Sequence, residues 1–66
     1  MNIPKLKGKI VEKGINVETL AGKLGINRST LYRKLDASEK FTIGEANKIK
    51  AELDLTNEEA TEIFFG

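Results

Sequence analysis

Residues 16–35 read NVETLAGKLGINRSTLYRKL, in which Gly25 separates two short amphipathic segments. Asn16 is a favourable N-cap for the first segment, and glycine at position 25 permits the left-handed conformation that ends many helices. Ile26 then returns an apolar side chain to the core before Asn27 opens the second segment. Two helices joined by so short a turn are typical of a helix-turn-helix, which we predict for residues 16–35.

The second helix of this motif has a buried side and an outward side. At about 100° per residue, Leu35 lies about 40° from Leu31, so these two leucines mark the buried side. Ser29 and Arg33 then point away from it, at about 160° and 200°. Arg28 lies nearer the buried side in angle, but it stands at the tip of the helix, from which a long side chain reaches forward. Thr30 and Tyr32 flank the outward side.

This outward side suits the major groove of DNA. A guanidinium group can donate two hydrogen bonds to guanine O6 and N7, whereas hydroxyl groups make more permissive contacts to bases or phosphates. Outside such a motif, the two arginines would be interpreted as ordinary solvated helix charges. Within it, we predict base contacts from Arg28, Ser29, Thr30, Tyr32 and Arg33.

A first helix is predicted from Pro4 to Lys13, ahead of the motif. Proline is well tolerated in the first turn of a helix, and Gly14 supplies a stop. We expect the apolar residues of this helix to lie on one side, facing the core; they are Leu6, Ile10 and Val11.

Two further helices are predicted after a polar linker at residues 36–40. Each begins with a capping box, Thr42 with Glu45 and Thr56 with Glu59, in which side chains and backbone exchange hydrogen bonds. The fourth helix is expected to end near Asp54–Leu55 and to bury Ala46, Ile49 and Leu53. The chain is thus predicted to be a single all-α domain over residues 1–66, a compact bundle of about five short helices.

Two aromatic positions have more than one interpretation. Phe41 is expected to anchor the core, because one isolated aromatic ring makes a poor platform for single-stranded nucleic acid. Tyr32 could contact a phosphate or a thymine methyl group, or could cover the edge of the core. A helix cannot bury three consecutive large residues on one side, so at least one residue of the run Ile63, Phe64 and Phe65 should be exposed in a monomer. This run either completes the core or forms a tentative dimer interface.

Composition limits the chemistry that the chain can perform. The 66 residues contain no cysteine and no histidine, which excludes disulfides, thiolate and imidazole metal ligands and the commonest general base. Ser29 and Ser38 therefore lack a histidine to activate them, so we expect no enzymatic activity, no metal, no cofactor and no small-molecule ligand. No apolar run approaches the roughly 18 residues that span a membrane, and we expect a cytoplasmic protein without membrane partners.

The net charge of +1 hides an uneven distribution of charges. Residues 1–40 hold nine basic and four acidic side chains, whereas residues 41–66 hold two basic and six acidic ones. We therefore expect an electrically two-sided molecule, whose basic side suits an anionic partner such as DNA. Taken alone, the basic cluster near the start is more typical of a solvated helix surface; it comprises Lys5, Lys7 and Lys9.

The segment VETLAGKLGINRSTLYRKL resembles the helix-turn-helix of the Cro/CI-type (Xre-like) phage repressors. The resemblance rests on residues at the family's intervals, namely Leu20, Ala21, Gly25, Ile26 and Leu31. The five-helix plan extends it to nearly the whole chain. It implies a lambda-repressor-like domain that acts as a sequence-specific transcriptional regulator of the Cro kind, with residues 28–35 inserted into the major groove of double-stranded DNA.

The same resemblance implies roles for individual residues. Arg28, Ser29 and Arg33 would occupy the family's principal base-contacting positions. Lys34 stands where many members carry an apolar residue, and we expect Leu35 to take over that role. Phosphate contacts are expected near the starts of three helices, from Asn16, Asn27, Lys40 and Thr42.

The small size of one helix-turn-helix indicates how the protein would assemble on DNA. One helix-turn-helix covers few base pairs, so we expect a homodimer at least on DNA, with half-sites about one turn apart. The alternative is a protein-interaction module that retains the scaffold, such as an antirepressor or antitoxin. The two differ in their salt dependence, because DNA binding weakens steeply as salt rises.

Overall fold

A computed structural model describes residues 1–37 and 40–65, and these residues form five α-helices and no strand. Ser38 of the linker lies outside the described residues. None of the described helices is long and apolar enough to cross a bilayer. The predicted all-α fold is confirmed, and its helices are α1 (Ile3–Glu12), α2 (Val17–Leu24), α3 (Arg28–Asp36), α4 (Ile43–Glu52) and α5 (Asn57–Phe65).

The second helix lies at the centre of the bundle. α2 packs against both α3 and α4, while α5 packs against α1 and α4. Each buried aliphatic side chain contributes about 1.5–3 kcal/mol through removal of its apolar surface from water. The large side chains that are wholly buried come from every helix and from the end of α4: Leu6, Leu20, Leu31, Ile49, Leu53 and Ile63.

The buried side of α1 differs from the predicted one. Leu6 and Ile10 are buried as expected, but Val11 is 78% exposed and the prediction for that residue is wrong. Ile3 takes its place in the core. The spacing Ile3, Leu6 and Ile10 follows one side of the helix at i, i+3 and i+7, and Val11 lies about 100° further round.

Three helices end in the same left-handed motif. In α2, Gly25 has φ 74°, its N–H donates to Gly22 O, and the N–H of Ile26 donates to Ala21 O at 3.1 Å. This pair of hydrogen bonds is the Schellman arrangement, and the apolar residue that follows it packs on the core. The residues with positive φ in the three motifs are Gly14, Gly25 and Asp54.

Among the described residues, Asp54 is the residue with positive φ that is not glycine, and this predicts a stabilising substitution. Its φ of 50° places the Cβ atom in a region that L-residues disfavour by about 1–2 kcal/mol. Part of that gain is offset because glycine loses more backbone entropy on folding. We expect Asp54→Gly to raise the free energy of unfolding by about 0.5–1 kcal/mol in urea titrations. Asp54→Ala is the control, and an equal gain in the alanine variant would contradict the explanation.

The apolar run of α5 divides between core and solvent. Ile63 is wholly buried within the monomer, so its tentative assignment to a dimer interface is wrong. Phe64 is half-buried and meets Phe41 edge to face, with ring centroids 6.1 Å apart. Phe41 packs against the core as predicted. Phe65 is 83% exposed, which confirms that one residue of the run remains outside the core.

Candidate nucleic-acid interface

The turn at residues 25–27 joins α2 to α3 and fixes which side of α3 faces outward. Leu31 and Leu35 are buried, as predicted. Asn16 caps α2 by accepting a hydrogen bond from the Thr19 N–H at 2.7 Å, which also confirms the predicted start of that helix. The arrangement of α2, turn and α3 fits that of a helix-turn-helix.

The exposure of the polar side chains of α3 agrees with the helical periodicity, except at Thr30. Arg28, Ser29 and Arg33 are exposed, and Tyr32 is about half-exposed. Thr30 is only partly exposed, because it lies closer to the packed side of the helix. Tyr32 also borders a shallow apolar groove against α1 and α2, so its ring covers the edge of the core while still reaching solvent. The outward side of α3 therefore brings together two guanidinium groups and a hydroxyl.

The start of α3 is left without a side-chain cap. Asn27 has the extended backbone of an N-cap, yet its side chain makes no capping hydrogen bond. The first N–H groups of α3 carry a partial positive charge that favours a bound anion such as a phosphate. The exposed Asn27 amide adds further donors at the same place.

The other residues predicted to contact phosphates differ in whether their polar atoms already make hydrogen bonds within the protein. Asn16 is exposed and uses its side-chain oxygen as the α2 cap, which leaves its amide NH₂ group as a donor. Lys40 is exposed and uses its carbonyl oxygen to accept a hydrogen bond from Lys34. Thr42 is already engaged, because its hydroxyl caps the Glu45 N–H at 3.0 Å and its own N–H donates to the Glu45 carboxylate at 2.8 Å. A carboxylate at this helix start repels a phosphate, so the capping box disfavours the predicted Thr42 contact.

Lys34 is accommodated in the position where many Cro/CI-type repressors carry an apolar residue. Its side chain is largely covered, and its ammonium group lies 5.6 Å from the centre of the Phe41 ring and 3.4 Å from the Glu45 carboxylate. The methylene groups can thus pack while the charge is paired. Partial burial opposes ionisation of Glu45, but the hydrogen bond from the Thr42 N–H and the charge of Lys34 lower the pKa of that carboxyl.

Arg28 makes an ion pair across the turn with Glu18, a contact that the sequence analysis does not predict. Its Nη1 atom lies 3.3 Å from Oε2 of Glu18, in the first turn of α2, and both side chains are largely exposed. An exposed pair of this kind contributes at most about 1 kcal/mol to stability. Because the partners are ten residues apart and on different helices, helix periodicity alone does not reveal the contact.

The two charged halves of the sequence do not separate into two faces as expected. Lys5 pairs with Glu62, Lys9 pairs with Glu59, and α1 is thereby joined to the acidic α5. Another pair links α2 to α4, from Lys23 to Glu52 at 3.4 Å. Much of the basic charge before residue 41 is thus matched by acidic charge after it. The lysines at positions 5 and 9 belong to the α1–α5 contact rather than to a free basic surface.

The ion pair between Lys9 and Glu59 shifts the pKa values of both side chains. Its hydrogen bond, helped by the Glu12 carboxylate, raises the pKa of Lys9 to about 12. The same hydrogen bond and that from the Thr56 N–H lower the pKa of Glu59 from 4.5 to about 2. A carboxylate whose pKa falls on folding stabilises the native state above its ordinary pKa, and this contribution is lost as the pH falls toward the lowered value.

This linkage predicts acid sensitivity that depends on Glu59. The wild-type melting temperature should fall between pH 4.5 and pH 2, because in that range the unfolded chain takes up a proton on this carboxylate while the native carboxylate stays largely ionised. Glu59→Gln can retain the capping hydrogen bonds but removes the charge, so its melting temperature should be lower at neutral pH and should fall less on acidification. Circular dichroism melts at several pH values measure this. Glu58→Gln in the same helix turn is the control, and unchanged acid sensitivity in Glu59→Gln would contradict the assignment.

Comparisons with protein-family models, with curated proteins and with solved structures found no match to this chain. The residues of the chain and their arrangement are therefore the basis for assigning a function.

Proposed function

We propose that this protein binds double-stranded DNA through the outward side of α3 and regulates transcription by occupying an operator. The observation that carries the proposal is the division of α3 between its two sides. Leu31 and Leu35 hold the helix to the core, while Arg28, Ser29 and Arg33 are exposed together on the remaining surface. An α-helix fits the major groove of B-DNA, where each base pair presents a distinct pattern of donors and acceptors.

The side chains of this surface match two kinds of DNA contact. The arginines can each donate two hydrogen bonds to guanine, and Ser29 can contact a base or a phosphate. Asn16, Asn27 and Lys40 offer donors for the phosphate backbone, which positions a protein without itself specifying sequence. The contacts proposed for Thr30 and Tyr32 are secondary, because one is partly covered and the other borders the core.

The resemblance to Cro/CI-type repressors supports the direction of regulation. A small domain of this kind represses by excluding polymerase from the operator that it occupies. On this proposal the protein acts in the cytoplasm of a bacterial cell, on phage or prophage DNA, and needs no cofactor. We expect no catalysis on this proposal, since the chain has no histidine to activate the hydroxyl of Ser29.

Fluorescence anisotropy with a labelled random-sequence duplex tests the proposal. We expect the logarithm of the association constant to fall linearly with the logarithm of the salt concentration, because bound lysines and arginines release counterions from the phosphates. Repeated selection from the same random pool should then enrich a preferred site. Absence of binding even at low salt would refute the proposal and favour the protein-interaction module.

We further propose that the protein pairs as a homodimer on DNA through a groove between α4 and α5. The groove has a volume of about 140 Å³ and is lined by apolar side chains that include Phe41 and Phe64. Ile43 and Phe65 border it, and they are 81% and 83% exposed. A two-fold axis through such a surface would bring the same residues of both copies together. Two copies would then contact a pseudo-palindromic site.

Phe65→Asp is expected to weaken this pairing without destabilising the monomer. Removal of about 2 kcal/mol of apolar burial in a dimer corresponds to about a thirtyfold weaker association. Analytical ultracentrifugation with and without a selected duplex measures the change. Val11→Asp is the control, since it places the same charge at another exposed apolar residue. A wild-type protein that saturates its selected site as a monomer would refute the dimer.

A further inference from the structure

We infer that Glu18 is a positioning residue that holds Arg28 for base recognition and limits binding to unrelated DNA. The inference rests on the proposed function of α3. Its starting point is the ion pair across the turn, in which Arg28 Nη1 lies 3.3 Å from Glu18 Oε2. The two residues stand near the starts of adjacent helices, α2 and α3, which pack directly against each other.

Arg28 is the residue of the outward side that most needs such support. It is the first residue of α3, so no preceding turn of that helix is present for its side chain to pack against. A long arginine side chain loses considerable rotamer freedom when it is fixed in one orientation. The Glu18 carboxylate restricts that freedom before DNA arrives, and a preorganised group binds with a smaller entropic penalty.

The geometry of the pair leaves the guanidinium able to contact a base. Arginine has five N–H donors arranged as a planar fork, and the hydrogen bond to Glu18 is donated by Nη1. The Nη2 and Nε groups form the other edge of the fork, which is the edge available for a two-bond contact with guanine. Glu18 can therefore orient Arg28 and remain paired with it in the complex.

The same carboxylate disfavours contact with phosphates. A negative charge in the first turn of α2 lies near the proposed Asn16 phosphate contact, where it weakens binding to any duplex regardless of sequence. Glu18 thus acts in two opposite directions, since it lowers general affinity and raises discrimination between sites. Such a combination is a recognised route to specificity, in which a repulsive group penalises the wrong partners.

Substitution of Glu18 by glutamine separates this role from a structural one. We expect Glu18→Gln to bind random-sequence duplex several-fold more tightly than wild type. We also expect it to lose about tenfold in preference for the selected site over variants of one base pair, a size typical of coupling between contacting side chains. That base pair should be the one at which Arg28→Ala loses its preference. In the double variant Glu18→Gln/Arg28→Ala, discrimination at this base pair should be about the same as in Arg28→Ala alone.

Glu58→Gln is a matched control. Glu58 also lies in the first turn of a helix, and its substitution removes the same charge from α5. It should leave discrimination between sites unchanged. The experiment measures dissociation constants of all variants on a panel of single base-pair substitutions of the selected site. Wild-type discrimination retained in Glu18→Gln would overturn this inference and leave the proposed function standing. A wild-type protein with no salt-dependent binding and no preferred site would overturn both.

Discussion

Replacement of both Arg28 and Arg33 by alanine should abolish sequence-selective DNA binding while the fold remains intact. A two-bond contact between arginine and guanine contributes about 1–3 kcal/mol to discrimination. Loss of two such contacts lowers the preference for the selected site by about a hundredfold or more. Both side chains are exposed, and exposed substitutions change stability by about 0.5 kcal/mol or less. Anisotropy on selected and random duplexes, at one fixed salt concentration, measures the preference.

A control variant must remove the same charge from another surface. Lys13→Ala/Lys48→Ala meets this need, because both lysines are exposed and neither belongs to the outward side of α3. We expect it to weaken binding to both duplexes to a similar extent and to retain the preference. An equal loss of preference in this control would mean that net charge alone, rather than the α3 surface, determines binding.

Leu31→Ala is expected to cost most of the stability of the domain. Leu31 is wholly buried where α3 meets the core, and such truncations cost about 2–5 kcal/mol. A domain of this size has a total stability of only about 3–10 kcal/mol at the usual value per residue. Urea titration followed by circular dichroism measures the change. The neighbouring Tyr32→Ala should cost much less, because that ring is half-exposed, and equal costs would contradict the division of α3 into a buried and an outward side.

The elements that the sequence predicts well depend on contacts within four or five residues. The Asn16 cap and the capping box of Thr42 with Glu45 are confirmed by their hydrogen bonds. Gly25 ends α2 with positive φ, as its lack of a side chain indicates. Leu31 and Leu35 are buried because the helical repeat alone brings them to one side. Local chemistry thus suffices for the helix ends and for the outward side of α3.

The features that the sequence does not predict depend on contacts between helices. Lys34 has a polar side chain, yet Phe41 and Glu45 accommodate it near the core. The charge clusters at the two ends of the chain neutralise each other because α1 and α5 pack together. Patterns along the sequence cannot indicate these pairings.

The central claim, that the outward side of α3 contacts DNA, is tested most directly by nuclear magnetic resonance. Amide chemical shifts of the ¹⁵N-labelled protein would be followed during titration with a selected duplex. We expect the largest shifts at residues 27–33 and near Asn16, with small shifts along the exposed surface of α1. Large shifts confined to the groove between α4 and α5, with α3 unaffected, would contradict the account.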